Sequence, residues 1–200
     1  MSTINPFYLN LTTKEISNIK NEFEKILKSG QLILGKHTDN FEKQFAKFIG
    51  SKYAVSVNTG TTALDFLFQR HNIKNKKIAV QSNTNFATVA SIINKGGIPV
   101  LIDMDKKYFS PSLNNFKEIL KIEKNIKGLC IVHIGGVIHP DINKIKKFCK
   151  SRNIFLVEDC AHSHGSVFDG CHSGNFGSGG AFSFFPTKVI TTMEGGLIST

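Results

Sequence analysis

Between Tyr53 and Glu158 the sequence alternates short apolar runs with longer stretches of helical periodicity, and that alternation limits the fold more than any other feature. The runs Tyr53–Val57, Lys77–Val80, Ile98–Asp103, Leu129–His133 and Ile154–Glu158 have the length and β-branched character of strands. The intervening stretches Thr61–Gln69, Phe86–Asn94, Leu113–Lys121 and Ile142–Ser151 place apolar residues on one helical face. Strands separated by helices of this length predict βαβ units. They predict an α/β fold whose mostly parallel sheet is covered on both faces.

The flanking regions differ. Residues 1–11 read as an extended arm. A helix is expected from Thr12 or Thr13, where Thr12 and Glu15 have capping-box spacing, to a stop at Gly30. Ile16, Ile19, Phe23, Ile26 and Leu27 form its expected inward face. A second helix is expected over Thr38–Ile49, with Phe41, Phe45, Phe48 and Ile49 inward and Gly50 ending it. After Asp159 the alternation gives way to a glycine-rich stretch, and two apolar runs on either side of Lys188 are expected to be neighbouring strands. There is no internal repeat or linker. Residues 1–200 therefore read as one domain, with the arm and helices over 1–50 and an α/β region over 51–200. The strand pattern running into Thr200 predicts a chain incomplete at its C-terminus.

Composition narrows the partners. Lys and Arg outnumber Asp and Glu by 25 to 15, a net charge of +10. The lysines are scattered, with no basic run and no aromatic-interleaved stripe, so they read as solvated helix faces or attraction for an anionic substrate, and no nucleic-acid partner is expected. Cys130, Cys149, Cys160 and Cys171 lack zinc-ligand spacing and read as reduced thiols. There is no leader-like or membrane-length apolar run. A cytoplasmic location with no membrane association is the expectation.

Three segments carry chemistry. In VSVNTGTTAL (55–64) a strand meets a Gly-Thr-Thr turn that opens a helix. Such a turn is either a capped helix start or an anion cradle, in which Gly60, Thr61 and Thr62 offer N–H and hydroxyl donors to a phosphate. In FLVEDCAHSHG (155–165) a strand delivers Glu158 and Asp159 to its carboxyl end, where parallel sheets bind ligands. An acid there caps a helix, binds a metal with His162 and His164, or pairs with a cationic ring nitrogen. In GAFSFFPTKVITTMEGG (180–196) Lys188 follows an apolar run. It is either a snorkelling surface lysine or an amine whose desolvation suits Schiff-base chemistry. Anion cradle, acid and lysine are together the three fixed points of a pyridoxal 5'-phosphate (PLP) site. Phe86, opening a helix after a strand, is either core or a stacking face for the cofactor ring.

The blocks FEKQFAKFIGSKYAVSVNTGTTAL, SNTNFATVASIINKGGIPVLIDMD, EDCAHSHGS and FSFFPTKVITTMEGGLIST, in that order and spacing, resemble the DegT/DnrJ/EryC1/StrS family of PLP-dependent nucleotide-sugar aminotransferases. The resemblance implies the large domain of the aspartate-aminotransferase fold (fold type I), a mixed, mostly parallel sheet flanked by helices, with the C-terminal small domain absent. It implies that Lys188 carries the cofactor and moves protons, and that Asp159 pairs with the pyridinium nitrogen. Phe86 would stack on the ring. Gly60, Thr61, Thr62 and Ser183 would hold the phosphate, and His162, where many members have Gln, would face the 3-oxygen. No metal is implied. The substrates would be a nucleotide-linked keto-sugar and an amino-acid donor, glutamate, acted on by a homodimer in polysaccharide or deoxyamino-sugar synthesis. Lys188 separates the chain from the dehydratase branch with His in its place. Met193 stands where Gly is common before the Glu-Gly-Gly triplet. Two rivals remain: a non-catalytic PLP-binding remnant, and a nucleotide- or nucleic-acid-binding module built on the basic charge and the glycine turn.

Overall fold

A computed structural model describes residues 9–200; most of the expected arm, residues 1–8, lies outside the described residues. Helix α1 (Thr13–Ser29) begins where the capping pair places it. Thr12 Oγ1 accepts from the Glu15 N–H at 3.2 Å, and Glu15 Oε2 accepts from the Thr12 N–H at 2.7 Å. Gly30 ends it at φ 70°. Its expected inward face is not inward. No α1 residue is buried, and Phe23 is 60% exposed. A helical period specifies which residues share a face, not what covers that face.

Helix α2 (Lys36–Ile49) buries Phe45, Ala46 and Ile49. Phe48, expected inward, is exposed. At about 100° per residue the buried stripe centres near Ile49, and Phe48 falls on its flank.

The alternation then unfolds as read: β1 (Ala54–Val57), α3 (Gly60–Arg70), β2 (Lys77–Gln81), α4 (Phe86–Asn94), β3 (Ile98–Ile102), α5 (Leu113–Ile122), β4 (Ile126–Val132), α6 (Ile142–Ser151) and β5 (Phe155–Asp159). A small hairpin, β6 (Val167–Phe168) with β7 (Cys171–His172), precedes β8 (Gly180–Ser183) and β9 (Gly196–Ser199). Seven strands form one sheet in the order β1-β9-β8-β5-β4-β2-β3. All neighbours are parallel except β9, which runs antiparallel to both β1 and β8. The apolar runs flanking Lys188 are thus the adjacent strands expected, and the sheet is the mixed, mostly parallel one of the α/β expectation.

Strand alternation sorts the core into two layers. Ile78, Val80, Cys130, Val157 and Ala181 pack with Ala63, Leu64, Leu67, Phe68 and Ile92 of α3 and α4. Leu129, Ile131 and Leu156 pack on the opposite face with Phe116, Ile142 and Ile145 of α5 and α6. Each such aliphatic side chain removed from water contributes roughly 1.5–3 kcal/mol. Phe182 and Phe184 join Phe45 and Ile49 of α2, with Phe45–Phe182 ring centroids 5.0 Å apart in an edge-on pair. That aromatic cluster fixes β8 just ahead of Lys188.

Candidate active site

A cavity of about 290 Å³ opens at the carboxyl ends of the central strands, lined by Gly60, Thr61, Thr88, Asp159, His162, Ser183 and Lys188 among others. Local sequence rules account for part of its wall. In Phe182-Ser183-Phe184 the two rings are buried at 0% and 1% exposure, so alternation turns Ser183 to the cavity side. Lys188 sits in the connection between β8 and β9. That connection is pinned at its base: Thr191 Oγ1 donates to the Phe184 carbonyl at 2.8 Å, and the Phe184 N–H donates to the Gly195 carbonyl at 2.9 Å.

At one end of the cavity the backbone comes unusually close. Thr59 caps α3, its hydroxyl accepting from the Thr62 N–H at 3.1 Å. A Cβ on Gly60 would lie 2.8 Å from Ser183 Cβ, and one on Gly196 would lie 2.1 Å from the Thr59 carbonyl oxygen. Only glycine lets the α3 N-terminus, β8 and β9 meet there. The free N–H groups and positive dipole end of this eleven-residue helix make a seat for a phosphate.

At the other end stands Asp159, 5% exposed. Its Oδ1 accepts from the Ala161 N–H at 3.1 Å and its Oδ2 from Thr88 Oγ1 at 2.7 Å. Burial pulls the Lys188 amine below the ordinary lysine range, partly opposed by the Asp159 carboxylate. Burial also lowers His162, and the Lys188 charge adds to that. His162 Nδ1 accepts from the Gly135 N–H at 3.4 Å, which leaves the ring proton on Nε2. An amine pulled below the ordinary lysine range, an acid and a phosphate seat around one cavity fit PLP: Lys188 could hold it covalently, Asp159 could face its nitrogen, and Gly60, Thr61 and Ser183 could hold its phosphate.

Two expected residues are not brought there. The Phe86 ring is 81% exposed and Phe86 does not line the cavity; its neighbours Asn85 and Ala87 do. Asn85 is the N-cap of α4, and the turn that lets its side chain accept from Ala87 at 2.9 Å rotates Phe86 outward. Thr62 does not line the cavity either. Its N–H and hydroxyl both face Thr59, so it serves the helix cap. Sequence reasoning missed Asn85, Thr88, Ala161, Phe185 and Glu194 on the wall. Thr88 had a visible signal: it is a polar residue in the first turn of an otherwise apolar helix, four residues after Thr84.

Glu158, the acid beside Asp159, faces the other side. Its Oε1 accepts from the N–H groups of Phe176 and Gly177, both at 2.7 Å. Its Oε2 accepts from the Gly174 N–H at 2.8 Å and lies 3.0 Å from His133 Nε2. Among the described residues, His133, Glu158 and Cys160 are the group close enough to share a metal ion. With four donors on Glu158, and burial pushing the Cys160 thiol well up, the geometry is that of an internal anchor.

The mixed, mostly parallel α/β sheet is that of fold type I PLP-dependent enzymes. Residues 13–200 match the model of the DegT/DnrJ/EryC1/StrS aminotransferase family, and the chain belongs to that family. It is similar to GDP-perosamine synthase of Escherichia coli O157:H7, 36% identical over 168 residues that cover 83% of this chain and 45% of that protein. Its structure is similar to the aminotransferase from Psychrobacter cryohalolentis, with a TM-score of 0.88 at 30% identity, covering 98% of this chain and 49% of that one. It is also similar to E. coli GDP-4-keto-6-deoxy-D-mannose-3-dehydratase with bound hydrated PLP, with a TM-score of 0.85 at 29% identity, covering 100% of this chain and 52% of that one. The cofactor is PLP. The chain spans about half the length of the relatives it matches. No helix among the described residues is long and apolar enough to cross a membrane.

Proposed function

We propose that this chain is the cofactor-binding part of an aminotransferase that moves an amino group from an amino acid, glutamate, to a nucleotide-linked keto-sugar. The reading places it in the cytoplasm, as a homodimer, in polysaccharide or deoxyamino-sugar synthesis. The observation that carries it is Lys188, with its amine biased toward the neutral form, on the same cavity as Asp159 and the Gly60–Ser183 phosphate seat.

The cofactor, when bound, supplies an electron sink that makes the substrate's Cα–H acidic. The chain supplies the rest. Gly60, Thr61 and Ser183 orient the phosphate end. Asp159 holds a proton on the ring nitrogen. His162 Nε2–H donates to an anionic oxygen on its side of the cavity. The Lys188 amine would serve as the base that takes the proton from the donor's Cα and as the acid that gives it back. The positive charge of +10 suits an anionic nucleotide substrate.

The test has two stages. Borohydride reduction of protein incubated with PLP, followed by peptide mapping, should fix the cofactor on Lys188, and Lys188→Ala should fix none. Attachment should rise with pH through a midpoint below the ~10.4 of an ordinary lysine, because the neutral amine is the nucleophile. Absence of any visible band or trapped peptide would sink the cofactor reading. A trapped cofactor with no amino transfer from glutamate to any nucleotide keto-sugar would sink the catalytic one and leave a PLP-binding remnant.

A further inference from the structure

Asp159 does not stand alone in the cavity wall. Thr88, the third residue of α4, is fully buried, and its Oγ1 lies 2.7 Å from Asp159 Oδ2 and 2.8 Å from Thr84 Oγ1. A threonine hydroxyl has one proton. An ionised carboxylate only accepts, so Thr88 gives that proton to Asp159 and accepts in turn from Thr84. The Ala161 N–H takes the other oxygen at 3.1 Å. With Asp159 ionised, every donor points at it, and the direction of the whole chain is set.

We infer that Thr88 is a positioning residue for the cofactor: the Thr84–Thr88–Asp159 hydrogen-bond chain fixes the rotamer of Asp159, and with it the place of the carboxylate opposite the ring nitrogen of PLP. This rests on the proposal that Asp159 faces that nitrogen. The physical grounds are general. A hydrogen bond to a charged group is stronger than one between neutral partners, more so out of water. Thr88 lines the cavity and comes from α4, so it ties that helix to the end of β5 at the cofactor's edge. The segment 84–88 therefore acts on the chemistry through Thr88, whereas the exposed Phe86 ring does not reach the cavity.

The experiment compares Thr88→Val, which keeps the shape and removes the proton, with Thr88→Ser, which keeps the proton. PLP affinity, the pH dependence of the bound cofactor's visible absorbance and melting are measured on each. Thr88→Val should bind PLP about tenfold more weakly, the scale of one hydrogen bond to a charged group. Its visible absorbance profile with pH should also shift, since a carboxylate free to turn holds the ring nitrogen less firmly. Thr88→Ser should restore both to within about threefold of the wild type. Thr84→Val should shift the same two readouts in the same direction by less, and it serves if Thr88→Val does not fold. Wild-type affinity and profile in Thr88→Val, or in Thr84→Val where that variant stands in, would overturn the inference while leaving PLP binding intact. Absence of a visible band in the wild type itself would instead remove the cofactor reading beneath it.

Discussion

The two sides of the sheet at the end of β5 hold neighbouring acids put to opposite uses. Glu158, on the α5–α6 side, has its oxygens met by three backbone N–H groups and His133. Asp159, on the α3–α4 side, accepts one bond on each oxygen and faces a cavity. Burial alone does not separate them, since both are almost inaccessible at 0% and 5% exposure. The difference is saturation. A buried acid with all its acceptor positions filled holds structure together, and one with capacity to spare is available to a ligand.

The sharpest way to break that contrast is Asp159→Asn. It keeps the shape and removes the charge, so PLP affinity should fall about a hundredfold or more, the ~3–5 kcal/mol of a broken buried pair, with melting little changed. Equal loss of stability and affinity would refute the division of roles. Glu158→Gln should do the reverse. Its amide would meet N–H donors from Phe176, Gly177 or Gly174, at a cost of roughly 2–4 kcal/mol of stability. Melting should then drop by about 5–10 °C, read by circular dichroism.

His164 extends the comparison to pH. Its ring packs against Phe182 and Phe184 at 5.6 and 5.2 Å, and burial pulls it down to about 4, partly opposed by the Ser183 backbone. The unfolded chain protonates it near ~6.5 and the folded chain only near 4, so it imposes no penalty above ~6.5 and stability drains away as pH falls between the two. His164→Phe should remove most of that loss, at most about 3 kcal/mol, from denaturation curves taken at pH 7 and pH 4. The smallest effect belongs to Met193, exposed at φ 66° in the turn after Lys188. Met193→Gly should gain less than about 1 kcal/mol, since relief of ~1–2 kcal/mol of left-handed strain is offset by the freer unfolded glycine.

The saturation that separates the two acids is invisible in the sequence, where Glu158-Asp159 is merely an acidic pair at a strand end. What distinguishes them is a glycine-rich loop folding back to present three N–H groups, a contact set by tertiary structure. The strands and helices from Ala54 to Asp159 were legible because two periods, 2 and 3.6, differ so plainly. Ser183 was legible for the same reason, lying between two buried rings. Phe86 was legible only as an aromatic at a helix start; that its ring is exposed while Asn85 and Ala87 line the cavity is set by the Asn85-capped first turn. The exposed stripe on α1 was read as a buried one because a pattern carries no record of its partner.

The antiparallel strand β9 has a consequence for how the molecule comes into being. β1 stands at the edge of the sheet, and its neighbour there is β9, with Ala54 opposite Ser199 and Val57 opposite Gly196. A ribosome releases β1 early, and the strand must then wait, its hydrogen-bonding edges unmet, until the far end of this chain emerges to pair with it. The turn at Gly60 that follows β1 takes its place against Ser183 at the same late moment. Closing so long a loop is slow, and an unpaired strand is prone to stick to other chains in the meantime. Nascent protein should therefore depend on chaperones until β9 arrives, and the seat for the vitamin B6 cofactor should take shape only then.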